Sequence, residues 1–291
     1  MSTVPLPEAR SPATSSDAVF PFGENWRRFL SQLTPEQIDA AAASLRSFLG
    51  EECLRGKRFL DVGCGSGLFS YAAAVVLGTS EVLSLDADAK AVACARELWR
   101  RAGEPRNWTI RHGSILDPAF VASLGTADIV YAWGVLHHTG SMWEALDRTA
   151  RLVAPGGVLY LALYNRVGGP FGSKFWWHVK RWYVTAPHWQ QTRARQVFRL
   201  LYGVRNVLRG KPSVQHGDVY AAEKRGMALK TDVHDWLGGF PYEYATANDV
   251  LSHVQHHFSE FSLVKLREAP GLENNWYLFR SHVRDHREDS V

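Results

Sequence analysis

Three features of this 291-residue sequence predict an α/β fold, with a mostly parallel sheet covered by helices on both faces. Short apolar strands alternate with amphipathic helices from Lys57 to Asn165, the pattern of strands buried on both faces. A glycine-rich turn, "FLDVGCGSGLFS", joins the first of these strands to its helix. The alternation then breaks from Arg166 to Tyr244 and resumes near the C-terminus, which marks an insertion after the fifth strand.

The start, "MSTVPLPEARSPATSSDAVF", lacks the basic start and apolar stretch of a signal peptide. Its Pro, Ser and Thr content predicts a disordered lead over residues 1–20. A helix follows in which Thr34 can cap, Pro35 suits the first position and Gln37 closes a capping box, with Gly50 as its stop. "RFLDVG" is strand one and "GLFSYAAAVVLG" a helix ending at Gly78; "EVLSLD" is strand two and "AKAVACARELWRRAG" its helix. "NWTIRHG" and "ADIVYAWGV" are strands three and four, "MWEALDRTARLV" is a helix, and Pro155-Gly156-Gly157 turns into strand five, "VLYLALYN". After the insertion come a helix, "NDVLSHVQHHF", two strands, "FSLVKLREA" and "NWYLFRSH", and a solvated tail, "RDHREDSV". The expected division is a lead (1–20), a ligand-binding core (21–165), an insertion folding over the ligand end of the sheet (166–244), and a C-terminal part completing the core (245–291).

Apolar residues make up 46% of the chain and charged residues 21%, which fits a soluble globular protein with a sizeable core. No apolar run is long enough to span a bilayer. Cys53, Cys64 and Cys94 lack metal-ligand spacing and are too few for a disulfide scaffold, so a reduced, cytoplasmic setting is expected.

Gly63, Gly65 and Gly67 sit where a chain must turn sharply and let a ligand approach its backbone. Asp86 ends the next strand, at the distance where such folds set a carboxylate against ribose hydroxyls. A dinucleotide fingerprint, G-x-G-x-x-G, needs a glycine where this chain has Leu68. The motif reads D-x-G-x-G-x-G instead. With Asp86, "HGSILD" and "AWGVLHHTG" it resembles the class I S-adenosylmethionine-dependent methyltransferases, strongly over Arg58–Asn165 and weakly in the last strands. The resemblance implies a Rossmann-like, seven-stranded methyltransferase sheet and S-adenosyl-L-methionine as cofactor. It further implies that Gly63, Gly65 and Gly67 line the methionine and ribose, that Asp61 holds the loop and the amino group, and that Asp86 takes the ribose hydroxyls. Ala87 would lie against the adenine, with Ser114 in place of the family's usual Asp and Ile115 offering a backbone N–H. Trp133 would border the cofactor at the end of strand four, and Trp26 would close the site from the N-terminus.

Such a cofactor carries its own electrophile, so the protein must align a nucleophile, exclude water and, where needed, remove a proton. His137 and His138 follow strand four, at the reactive end of the sheet. Three readings are open: a metal pair, a base, or a loop structure satisfied by imidazole nitrogens. Neighbours on an extended segment point apart, which disfavours a shared metal. "VLHHTG", "APGGVLYLALYN" and "DWLGGFPYEYAT" narrow the resemblance to the 3-demethylubiquinone O-methyltransferase group and its bacterial relatives. There the strand-four motif runs E-x-x-E-H and can hold a divalent ion. Here Gly134, His137 and His138 occupy those places, so no metal site is expected.

From Asn165 to Gly217 the insertion has ten Lys and Arg and no Asp or Glu, interleaved with Phe and Trp. On a helical wheel, Val197, Leu200, Leu201, Val204, Val207 and Leu208 share one face, and Arg195, Arg199, Arg205 and Arg209 the other. The segment suits an anionic membrane surface, or the phosphates and bases of a nucleic acid, or simply an apolar face packed on the core with its arginines solvated. Asp232, His234 and Asp235 form a polar cluster: His234 oriented by a carboxylate as a base, a metal site, or helix-end capping. Trp236, Phe240 and Tyr242 would wall a substrate pocket. The function expected is methyl transfer to a small or lipophilic acceptor, foremost at a phenol-, quinol- or natural-product-type oxygen, in the cytoplasm or peripherally at the inner membrane face. The alternatives are an RNA or protein methyltransferase and a cofactor-binding scaffold without chemistry.

Overall fold

The computed structural model describes residues 20, 22–50, 53–208, 225 and 229–282. Residues 1–19 of the expected lead and the expected C-terminal tail lie outside the described residues. Phe20, assigned to the lead, is instead buried, and its ring fills the space that a side chain at Gly238 would need.

Seven strands form one sheet in the order β3-β2-β1-β4-β5-β7-β6. They are β1 (Arg58–Val62), β2 (Glu81–Asp86), β3 (Trp108–His112), β4 (Ala127–Trp133), β5 (Val153–Tyr164), β6 (Phe261–Arg267) and β7 (Asn274–Ser281). β1 to β5 are parallel; β7 runs antiparallel to both β5 and β6. From β1 the chain winds outward through β2 and β3, then returns to the other side of β1 with β4. That reversal opens a crevice at the carboxyl ends of β1 and β4, where open α/β sheets bind ligands. Two apolar layers, one on each face, hold the sheet: Leu60, Val130, Leu159 and Phe279 on one side, Phe59, Tyr131, Tyr160 and Leu278 on the other. The inner strands β4 and β5 are thus apolar on both faces, while the edge strands β3 and β6 are largely exposed or half-buried.

The core helices are α1 (Phe22–Leu30), α2 (Pro35–Leu49), α3 (Leu68–Tyr71), α4 (Ala89–Arg101), α5 (Pro118–Ala122) and α6 (Met142–Ala150). The capping box of α2 forms as expected, with reciprocal bonds between Thr34 and Gln37. The helix expected through Gly78 is not uniform: α3 widens into a π-helical turn over Ala72–Val76. The short α5, capped by Asp117, was not evident from periodicity because it is only one turn long and buries no residue.

The insertion contributes α7 (Ser173–Thr185), α8 (His188–Leu208) and α9 (Leu229–Gly238), before α10 (Ala247–His257) returns to the sheet. Its two ends meet: Asn165 bridges Ala245, and Ala245 donates its N–H to the Tyr164 carbonyl at 3.0 Å. Of the three readings of α8, the one in which its apolar face packs on the core is not what the described residues show. Val197, Leu200, Leu201 and Val204 are exposed, while Phe198 stacks on Trp236 and Arg195 turns inward. Ring stacking among Trp176, Phe198 and Trp236 outcompeted the aliphatic stripe for the buried side. The side chains of Arg205, Arg209 and Asp232 lie outside what is described, as do Val207 and Leu208.

Candidate active site

The glycine turn is built by three anchors. Gly63 and Cys64 both donate to the Leu85 carbonyl at 2.8 and 3.0 Å, tying the turn to the end of β2. Gly65 donates to Asp86 Oδ2 at 3.0 Å, and Asp86 Oδ1 accepts from Asp88 N at 2.9 Å. A Cβ on Gly63, whose φ is +73°, would fall 2.4 Å from Val135 on the loop after β4. One on Gly65 would fall 2.8 Å from the indole of Trp26. Glycine is therefore demanded at both positions by backbone conformation and by what crosses them.

Burial raises the Asp86 carboxyl above its ordinary range, opposed by the N–H groups of Asp88 and Gly65. Asp61 is buried more completely, and burial pushes it up to about 7. A relay fixes it: Trp108 Nε1 donates to Ser84, Ser84 to Ser70, and Ser70 to Asp61. Ala87 is exposed beyond β2, its carbonyl held by His112 at 3.0 Å. Ser114 caps its own turn, accepting from Leu116 N, and the Ile115 side chain is in the core. The sequence-predicted cofactor residues thus follow the ends of β1, β2, β3 and β4, with Trp26 reaching the glycine turn from α1.

His137 and His138 lie on a single 3₁₀ turn, Leu136–His138, rather than on an extended segment. Their rings stand edge to face, 4.4 Å apart. His137 is fully buried and its Nδ1 accepts the Tyr164 N–H at 3.2 Å. His138 Nδ1 faces the Pro241 carbonyl at 2.7 Å and must therefore carry the proton, leaving a lone pair on Nε2. Burial lowers both; His138 falls to about 3, with the Lys180 ammonium contributing. No group of three or more His, Cys, Asp or Glu able to hold a metal occurs among the described residues.

Of the readings open for His234, orientation by a carboxylate finds no such group among the described residues: its Nδ1 faces the Tyr183 hydroxyl at 3.1 Å and Arg195, and burial lowers it to about 4. Arg195 donates to the Tyr183 oxygen at 2.8 Å, so Tyr183 can pass its own proton toward His234. Asp235 instead accepts from Asn25 of α1 at 2.6 Å. Phe240 and Tyr242 are buried beside Tyr164, and Trp236 packs between Trp176 and Phe198.

Two cations were missed by sequence reasoning. Lys180 is fully buried, donates to the Trp236 carbonyl, and lies 4.7–5.4 Å from the rings of Tyr164, Trp236 and Tyr242. Burial lowers its pKa to about 7. Its spacing was legible: it shares a helical face with Trp176, Trp177, Tyr183 and Val184. Arg225 is also buried, bonded to Ser44 and to the Tyr131 hydroxyl, with nothing in its basic surroundings to single it out.

The fold, the glycine turn and the acid after β2 together define the class I S-adenosylmethionine-dependent methyltransferase fold. Residues 60–159 match the family model of a methyltransferase domain, and the cofactor of the class with this fold is S-adenosylmethionine. The chain is 32% identical over 113 residues to a ubiquinone biosynthesis O-methyltransferase of Rhizobium rhizogenes, covering 39% of this chain and 43% of that one. It is 30% identical over 169 residues to the protein of that name from Rhodopseudomonas palustris, covering 55% and 63%. The chain thus spans less than two thirds of the length of these relatives. Among solved structures, magnesium protoporphyrin IX methyltransferase from Synechocystis with bound S-adenosylhomocysteine aligns with a TM-score of 0.51 at 14% identity, over 89% of this chain and 93% of that one.

Proposed function

We propose that this protein transfers a methyl group from S-adenosylmethionine to an oxygen of a small, lipophilic acceptor held beyond β4 and β5, beneath α7 and α9. In this reading Asp86 holds the ribose, and Ala87, Ser114 and Ile115 border the adenine. Gly63, Gly65 and Gly67 admit the cofactor's backbone-hugging part, Asp61 takes the amino group, and Trp26 covers it. The turn suits such a group because Gly63, Gly65 and Gly67 all hold positive φ, a conformation that L side chains rarely adopt, and so leave the backbone itself at the crevice. When bound, the cofactor supplies a methyl on a positive sulfonium.

The observation that carries the oxygen acceptor is His138. Its Nδ1–H is spent on Pro241, so Nε2 can only accept. A hydroxyl proton received there places positive charge on the imidazole as the donor's positive charge is discharged, so the buried site keeps its charge. Two relatives named as O-methyltransferases support the same atom. His138→Ala should lose methyl transfer to phenols and quinols by roughly 10²-fold or more while cofactor affinity by calorimetry is kept. Undiminished turnover would remove the base.

A membrane-resident acceptor is favoured by the exposed stripe of α8. Leu200 is 68% exposed and Leu201 62%, and Trp189, Trp182 and Phe171 are exposed elsewhere on the insertion. The surrounding segment has ten cations and no acid, which repels a second copy and attracts anionic lipid. Leu200→Ser with Leu201→Ser should reduce co-sedimentation with phosphatidylglycerol vesicles. Failure of the parent to sediment, or sedimentation only as a dimer without lipid, would overturn this reading.

A further inference from the structure

Pairing across β1, β4, β5 and β7 sets Asp61, Tyr131, Tyr160 and Leu278 in one row. Two residues on toward the ends of β4 and β5, and so on the same face, stand Trp133, Ala162 and Trp276. Arg225 covers both rows. Its guanidinium lies 4.0 Å from the Trp133 ring centre, 4.4 Å from Phe69 on α3 and 5.2 Å from Trp276. Nε donates to Ser44 at 2.8 Å and one terminal nitrogen to the Tyr131 hydroxyl at 2.6 Å.

The other terminal nitrogen is buried and has no partner; neither have the Trp133 indole N–H and the Tyr160 hydroxyl. These three sit together: Arg225 lies over the Trp133 ring and bonds Tyr131, whose ring is 5.2 Å from that of Tyr160, and the Trp133 N–H lies on the Tyr160 side without reaching hydrogen-bond geometry. All three groups can donate, and a guanidinium and an indole can do nothing else. Burial of unpaired donors is costly, so their convergence calls for an acceptor that none of the described side chains provides. The complementary ligand group is an anion, and a planar guanidinium edge suits a carboxylate. Asp61, near enough to feel the Arg225 charge, offers the opposite sign at the same end of the glycine turn. A negative group for an ammonium beside a positive group for a carboxylate is the recognition pattern of an α-amino acid.

We propose that Arg225, with the Trp133 indole N–H, binds the carboxylate of the cofactor's methionyl end, opposite the ammonium held by Asp61. This rests on the cofactor placement proposed above. Arg225 reaches the sheet from the insertion, so the element that covers the acceptor side also completes the cofactor's pocket. Cofactor binding then ties the insertion to the core, because a side chain of the former and the glycine turn of the latter hold the same ligand.

The test is calorimetric and uses two ligands that share a neutral sulfur and the adenosine. S-adenosylhomocysteine carries the amino-acid end; 5′-methylthioadenosine lacks it. Arg225→Gln should weaken S-adenosylhomocysteine roughly 10- to 100-fold and leave methylthioadenosine unchanged, with Arg225→Lys in between. Trp133→Phe, which keeps a ring but removes the N–H, should weaken only S-adenosylhomocysteine, by a smaller factor. Equal weakening of both ligands by Arg225→Gln would assign the arginine to the scaffold and overturn the proposal, as would unchanged S-adenosylhomocysteine affinity. A parent protein that binds neither ligand would instead overturn the cofactor placement on which the proposal stands.

Discussion

Tyr164 donates its backbone N–H to Nδ1 of His137, so that imidazole carries its proton on Nε2, the reverse of its neighbour. One hydrogen bond therefore separates two residues of the same type: His137 closes a main-chain donor at the end of β5, and His138 is left with a free lone pair. Glu243 strengthens the contrast, since its N–H bonds the His137 carbonyl at 2.9 Å and its carboxylate accepts the first N–H of α6. His137 is thus enclosed on both its main-chain and side-chain sides. His137→Ala would orphan the Tyr164 N–H and leave a void, and should cost about 2–4 kcal/mol of stability. His137→Gln, which can still accept, should recover part of it. Thermal melts of the two variants, alongside cofactor titrations that stay at the parent value, check this. Parent-like stability in the alanine variant would return His137 to the list of reacting groups.

At the scale of elements, what could be read in sequence was whatever local chemistry decides. The capping box of α2, the positive φ at Gly63, Gly65 and Gly67, and the strand ends around Asp61 and Asp86 follow from short-range rules, and all are present. What was not legible depended on long-range competition. The wheel of α8 separates aliphatics from arginines, but it cannot say which face wins, and here the side carrying Phe198 and Arg195 is half-buried because Trp236 and Tyr183 await it. Arg225 had no local signature, since its meaning comes from β4, β5, β7 and α2 together. The inverted helix makes an element-scale prediction about the proposed lipid contact. Arg193→Gln with Arg199→Gln should weaken binding to anionic vesicles by about 1 kcal/mol per residue, and the loss should vanish in high salt. The Leu200–Leu201 pair should act at every ionic strength, since apolar burial is not screened. Equal salt dependence for both variants would show that the stripe does not enter the bilayer.

For the molecule as a whole, the buried titratable groups fall into sets with opposite effects on stability. His137, His138 and His234 are lowered by burial, so the unfolded chain binds more protons and stability rises with pH up to the ordinary histidine range. Asp61, Asp86 and Glu243 are raised by burial, so their contribution falls as pH rises toward about 7 for Asp61 and about 6 for Glu243. The two sets oppose each other in the acid range. Above it, Lys180 stands apart. Its pKa is about 7 in the fold against 10.5 for the free side chain, so between these values the unfolded chain holds the extra proton and stability must increase with pH. Cys64 and Cys94 are raised from 9.0, so their opposing contribution begins only near pH 9. From pH 7 to 8.5 the parent should therefore gain on the order of 1–2 kcal/mol, seen as a rise of several degrees in Tm. Lys180→Met keeps the volume and removes the charge; it also loses the bond to the Trp236 carbonyl, but that loss does not vary with pH. Its Tm should be nearly flat over the same interval, so that any advantage it has at pH 7 shrinks by pH 8.5. Parallel curves for parent and variant would mean that the ammonium keeps its proton inside the ring cage of Tyr164, Trp236 and Tyr242, and that cation–π attraction there outweighs the loss of water.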